Sequence, residues 1–66
     1  MLWEFLIIFA VWQSKAHKSF EYKETRIYTE TMTKAKKKAD SIARVNHLDL
    51  AGVDIYRLGR VYRNVK

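Results

Sequence analysis

The first half of this chain contains an apolar run followed by a segment in which apolar and polar positions alternate, and both patterns are typical of β-strands. The apolar run at the start predicts a first strand over about residues 5–14, and a polar cluster at 14–18 predicts a hairpin connection. Residues 19–29 alternate more strictly and predict a half-buried second strand. One face of this second strand would carry Phe20, Tyr22, Glu24, Arg26 and Tyr28.

After residue 30 the apolar period changes from 2 to 3.6 residues, which indicates a helix. Thr31 is the expected N-cap of a helix that runs from residue 32 to about residue 47. One side of this helix would hold Met32, Ala35, Ala39, Ile42, Ala43 and Asn46. Because most of these side chains are small, the helix is expected to lie close against a sheet.

Residues 48–52 are predicted to form a connection, with Asp49 and Gly52 as turn residues. A third strand is predicted over residues 53–58, and a bulge is expected at Gly59. The predicted fold is therefore α+β, in the order strand, strand, helix, strand. A three-stranded sheet would carry the helix on one face, and the third strand would lie parallel to the second or beside the first. Residues 1–66 form a single small domain.

One helix cannot cover both faces of such a sheet. We expect several large side chains to stay at the surface, where exposed aromatic patches mark interaction sites. Alternatively, the hairpin curls so that the rings pack on one another, or two copies pair through the bare sheet as a homodimer. The side chains concerned are Trp3, Phe5, Trp12, Tyr22, Tyr28, Tyr56 and Tyr62.

The composition limits the kinds of bonds, metal sites and catalysis that the chain can support. The 66 residues contain no Cys and two His, which excludes disulfides and thiolate metal sites. His17 in a turn and His47 at a helix end are expected to be solvated or capping residues, and the sequence contains no nucleophile elbow or phosphate loop. We expect no enzyme, no cofactor and no metal. The apolar run at residues 1–12 is too short for a membrane helix and contains Glu4, so we expect no membrane partner.

The net charge of +6 lies entirely in the second half of the chain, where nine cations face three carboxylates. Four of these cations, Lys34, Lys36, Lys37 and Lys38, fall in the first two turns of the predicted helix, where they oppose its dipole. Arg44 adds to the same surface. This cluster is either a solvated face or a contact with phosphates or an acidic partner.

A second basic group lies on the third strand and its extension: Arg57, Arg60 and Arg63, interleaved with Tyr56 and Tyr62. Arginine and tyrosine supply much of the energy of protein interfaces and also suit stacking in nucleic-acid grooves. These arginines could also protect an edge strand from aggregation.

Three segments together are similar to a known family. They are Ser19-Phe20-Glu21, Ile27-Tyr28-Thr29-Glu30-Thr31 leading into an Ala-spaced helix, and Ala51-Gly52-Val53-Asp54-Ile55 followed by Arg57 and Arg60. The pattern, over roughly residues 9–61, resembles the small protein with which T-seven-like podophages inhibit bacterial RNA polymerase.

The resemblance implies a three-stranded sheet with one helix, in the order given above. It further implies a cytoplasmic protein of an infected bacterium that binds the jaw of the polymerase's largest subunit, in the downstream DNA channel, and obstructs open-complex formation. Two arginines of the family's last strand contact the jaw, and Arg57 and Arg60 match them, with Gly59 as an insertion. The family's helix begins with acidic residues where this chain has Lys34 to Lys38.

Three functions follow from these patterns. The chain could dock on a host protein, with bacterial RNA polymerase favoured. It could bind nucleic acid by charge and stacking, through the lysine cluster and the arginine strand. It could also be a structural subunit whose apolar first strand completes another sheet.

Overall fold

A computed structural model describes residues 2–61 of the chain, with residues 60 and 61 described by their backbone. The elements occur in the predicted order: β1 (Leu2–Ser14), β2 (Ser19–Thr29), α1 (Met32–Val45) and β3 (Leu50–Val61). The three strands form one antiparallel sheet in the order β2-β1-β3. The α+β fold is confirmed, and of the two positions left open for the third strand, the structure has the one beside the first.

The first strand is the centre of the sheet. It begins at Leu2, before the predicted start, because its first residues also pair with both neighbouring strands: Trp3 lies opposite Thr29 and Arg60. Three alternate side chains of β1, Phe5, Ile7 and Phe9, are almost completely buried. β1 is hydrogen-bonded along both edges, but α1 covers only the face that carries these three side chains, so the other half of the apolar run lies on the uncovered side of the sheet.

The helix lies on the sheet through its small side chains, as predicted. Ala35, Ala39 and Ala43 are the buried residues of α1, and the last two form a core cluster with Ile7 and Phe9. At its start, the hydroxyl of Thr31 accepts a hydrogen bond of 3.2 Å from the backbone N–H of the third helical residue, which confirms the predicted N-cap.

The helix ends at Val45, two residues before the predicted end. His47 has a φ of 54°, in the left-handed region, and its backbone N–H donates to the carbonyl of Arg44 at 3.2 Å. The N–H of Leu48 donates to the carbonyl of Ala43 at 2.9 Å. These two bonds form a Schellman motif, which stops the helix and turns Leu48 toward the core. His47 is thus at the helix end as predicted, and His17 lies exposed in the hairpin turn.

The third strand is longer than predicted, because it begins at Leu50 and includes Gly52. Gly52 was expected in a turn; instead it pairs with Ala10, and the backbone N–H of Trp12 donates to the carbonyl of Asp49 at 2.9 Å just ahead of the strand. Near the other end, two neighbours on β1 pair with Arg57 and Gly59, so that one extra residue lies between them. The bulge predicted beside Gly59 is confirmed.

The sheet extends well beyond the helix. The molecule measures 50 × 21 × 19 Å, whereas a helix of 14 residues is about 21 Å long. The face of the sheet away from α1, here called the open face, carries no element of the described chain.

Candidate protein-binding surfaces

The open face has an apolar centre. Alternate residues of β1 that do not point toward α1 lie along its midline and are partly buried by their cross-strand neighbours: Leu6, Ile8, Ala10 and Trp12. Because β1 is hydrogen-bonded along both edges, it has no free edge with which to complete another sheet. Any partner of this apolar strand must therefore approach the open face.

Aromatic rings flank this apolar midline, as the sequence predicts. Tyr22 is 68% exposed and Tyr56 is 51% exposed, and Tyr28 and Phe20 are also at the surface. Phe20 stacks at 4.5 Å on the ring of its cross-strand neighbour Trp12. The expectation that rings remain exposed is confirmed for Tyr22, Tyr28 and Tyr56, whereas Trp3 and Trp12 are partly buried.

Phe5 was named among the candidates for exposure, but it is only 1% exposed because it points to the helix-covered face. Tyr62 lies outside the described residues. The aromatic surface of the described chain is therefore the open face and its edges.

Charged residues on the open face follow the strand pairing. Ile8 lies between Glu24 and Asp54, one on each neighbouring strand. One step further along β1, Leu6 lies between Arg26 and Tyr56. Two neighbouring rows therefore cross the sheet. In the row Glu24–Ile8–Asp54, an apolar residue lies between two carboxylates. In the row Arg26–Leu6–Tyr56, it lies between a cation and a phenol.

The carboxylate of Glu4, which also lies on this face, has hydrogen-bond and ion-pair partners within the chain. The guanidinium of Arg26 lies 3.4 Å from Glu4, and the hydroxyl of Tyr28 donates to the same carboxylate oxygen at 3.4 Å. The Glu4 side chain is the less exposed partner of the ion pair, at 22% against 63% for Arg26. These contacts bring Arg26 to the open face, although an ion pair with so exposed a guanidinium contributes little to stability.

Arg57 lies on the opposite side of the sheet, toward α1. It pairs with Phe5, and its guanidinium carbon is 4.4 Å from the centre of the Trp3 ring, which is a cation–π contact. The sequence predicts Trp3 as an exposed aromatic residue but not its contact with Arg57, because only the β1–β3 register brings the two together. Stacking fixes the guanidinium plane in a partly exposed position, which reduces the entropy lost when a partner binds it.

The remaining residues of the predicted arginine–tyrosine group do not form one site with Arg57 in the described chain. Tyr56, one position earlier on the strand, points to the open face. Arg60 is described by its backbone, which pairs with Trp3. Arg63 and Tyr62 also fall outside the described residues.

The lysine cluster is exposed, and its four members differ in their contacts. Lys34 forms an ion pair of 3.3 Å with Glu30, which is the nearest carboxylate to the helix start. The ammonium of Lys38 donates to the carbonyl of Tyr28 at 3.5 Å, at the end of β2. Lys36 and Lys37 make no ion pair within residues 2–61 and border a groove of about 570 Å³ between α1 and β3.

The groove beside these lysines has an apolar floor that includes Phe9, Leu50, Val53 and Ile55. Arg44 is exposed in the last turn of α1, away from the helix start. Its positive charge there interacts favourably with the negative end of the helix dipole. The exposed lysines make the outer surface of α1 basic at its start, and the carboxylates of Asp40 and Asp54 belong to residues that line the same groove.

Residues 2–61 bring together no group of three or more His, Cys, Asp or Glu side chains that could hold a metal ion. Within the same range, no helix has the length and apolarity needed to cross a membrane. Comparison of the chain with protein-family models, curated proteins and solved structures returned no match.

Proposed function

We propose that this chain is a small phage-type inhibitor that binds bacterial RNA polymerase and blocks transcription initiation. Binding would take place in the host cytoplasm, at the jaw of the largest subunit in the downstream DNA channel. The proposal combines the resemblance of the sequence with one observation: the first of the two matching arginines, Arg57, is exposed on the last strand of a strand-strand-helix-strand fold and is stacked on Trp3.

The chemistry of Arg57 suits an acidic protein surface. A guanidinium presents a planar fork of donors that can bind a carboxylate with two parallel hydrogen bonds. Because Trp3 already holds the fork at 4.4 Å, less side-chain freedom is lost on binding than for a free arginine. Arginines in such positions are frequent interface hot spots, and truncation typically costs 2 kcal/mol or more, or about 30-fold in affinity.

Transcription by a purified bacterial polymerase, measured against inhibitor concentration, tests this proposal. Arg57→Ala combined with Arg60→Ala should weaken inhibition by about 30-fold or more. Lys23→Ala is the matched control, since it removes an exposed cation from β2 and should leave inhibition unchanged. The proposal fails if the wild-type chain does not inhibit, or if the double variant inhibits as well as the wild type.

Binding of nucleic acid is the second candidate, and the free ammonium groups of Lys36 and Lys37 favour it. Both lysines lie exposed in the second turn of α1 and form no ion pair in the part of the chain that the structure describes, although Asp40 and Asp54 line the same groove. They would contact phosphates without reading sequence, and affinity for duplex DNA would fall steeply with salt.

The slope of log affinity against log salt measures this directly. Replacement of Lys36 and Lys37 by Gln should reduce its magnitude by about 2, since each phosphate contact contributes about 0.9. Undetectable binding at low salt, or binding that does not depend on salt, would remove this candidate.

A further inference from the structure

We propose that the open face is a homodimer interface in which two copies pack their sheets face to face about a two-fold axis. The axis lies in the interface, perpendicular to the strands, and passes between Leu6 and Ile8 of β1. This inference does not depend on polymerase binding, because Arg57 is on the other side of the sheet.

The pattern of residues on the open face is complementary to itself under this symmetry. A two-fold axis in that position leaves each strand facing its own copy but reverses its direction. The row Arg26–Leu6–Tyr56 of one copy then faces the row Glu24–Ile8–Asp54 of its partner.

Each facing pair is chemically matched. Arg26 of one copy faces Glu24 of the other, Leu6 faces Ile8, and Tyr56 faces Asp54, so that a phenol can donate to a carboxylate. Symmetry repeats each contact, which gives two ion pairs and two phenol–carboxylate contacts around an apolar centre.

Two other placements of the second copy bring like charges together. If the axis ran along the strands, Glu24 would face Asp54 of the second copy. If the axis passed through Ile8, Glu24 would face Glu24 and Asp54 would face Asp54. The axis between Leu6 and Ile8 avoids both clashes. Glu4 keeps its partners within its own chain, Arg26 and Tyr28, and in the dimer faces Ala10.

The available area fits a weak dimer. The open face from Glu4 to Trp12 is about 30 Å long, and three strands about 4.8 Å apart give it a width of about 15 Å, so it offers about 450 Å² in each copy. Two such faces bury about 900 Å² in total, which is the size of a weak, reversible interface. Sheets packed in this way lie about 10 Å apart with strands within about 30° of each other.

Sedimentation of the full chain over a roughly hundredfold concentration range tests the proposal. The mass should rise from 7.9 kDa toward twice that value. Arg26→Glu alone and Glu24→Arg alone should each raise the dissociation constant by at least about 30-fold, because each places like charges opposite one another. The double exchange should restore association.

Two further variants identify the face. Leu6→Lys should abolish the dimer. Lys23→Glu is the control: it makes the same charge change as Arg26→Glu, but on the helix-covered side of β2, and should leave the dimer intact. Circular dichroism of each variant checks that the monomer is folded. A chain that stays at 7.9 kDa at all concentrations overturns the proposal, as does a dimer that survives Leu6→Lys or is not restored by the double exchange.

Discussion

Two neighbouring isoleucines of the central strand should differ sharply in their contribution to stability. Ile7 is 0% exposed and contacts the alanines of α1, whereas Ile8 lies on the open face and is partly exposed. Replacement of Ile7 by Ala removes buried methyl groups and leaves a cavity under a helix that already lies close to the sheet, which should cost about 3–4 kcal/mol. Ile8→Ala removes side-chain atoms that are only partly buried, and should cost about 1 kcal/mol.

The expected total stability sets the scale for these values. At 0.05–0.15 kcal/mol per residue, a chain of this size has about 3–10 kcal/mol. Ile7→Ala should therefore remove between about one third and all of this stability, and Ile7→Val, at about 0.5–1.5 kcal/mol, provides a measurable substitute if the Ala variant is unfolded. Ile8→Ala should remain folded.

Urea denaturation followed by far-ultraviolet circular dichroism measures both changes, at a concentration low enough for the chain to be monomeric. Val and Ala variants at each position give two independent comparisons. Equal costs at the two positions, or a larger cost at Ile8, would refute the assignment of the two faces of β1.

Three further changes test local features by thermal denaturation, where 1 kcal/mol corresponds to about 4–8 °C. Thr31→Ala should lower stability by about 1 kcal/mol through loss of the N-cap bond, and an unchanged midpoint would contradict that role. His47→Gly should raise stability by about 1 kcal/mol, since Gly adopts positive φ without strain; destabilisation would mean that the imidazole has a structural role. Ala39→Leu should cost about 1–3 kcal/mol because its side chain would push α1 away from the sheet, and tolerance would contradict the close packing.

The two faces of β2 and the buried side of the helix could be predicted from the sequence because both depend on local periodicity, whereas the continuous apolar run of β1 does not distinguish its faces, and Phe5 was wrongly expected to be exposed. Ala35, Ala39 and Ala43 recur every four residues, which defines one side of a helix whatever it packs against. The helix end was less predictable: nothing in the periodicity distinguishes Val45 from His47, and the Schellman bonds decide it.

Pairing between distant strands could not be predicted in the same way. The choice between two positions for β3 depends on how the chain crosses the sheet, and local alternation is the same in either case. The contact between Arg57 and Trp3 depends on that pairing, as does the charged row around Ile8. Gly52 resembled a turn residue because glycine is frequent in turns, but it pairs with Ala10 in the same register as Val53 with Phe9, so the strand continues through it.

The placement of β1 between β2 and β3 has a consequence for how the chain folds. The strand made first during synthesis receives its second neighbour from a segment about 50 residues later, with Leu2 paired to Val61. The β1–β2 hairpin can form early, but its apolar central strand keeps one edge unpaired until β3 arrives, and such late, distant pairing slows folding. In the interval, that edge is open to strands of other chains, so refolding yield should fall as protein concentration rises.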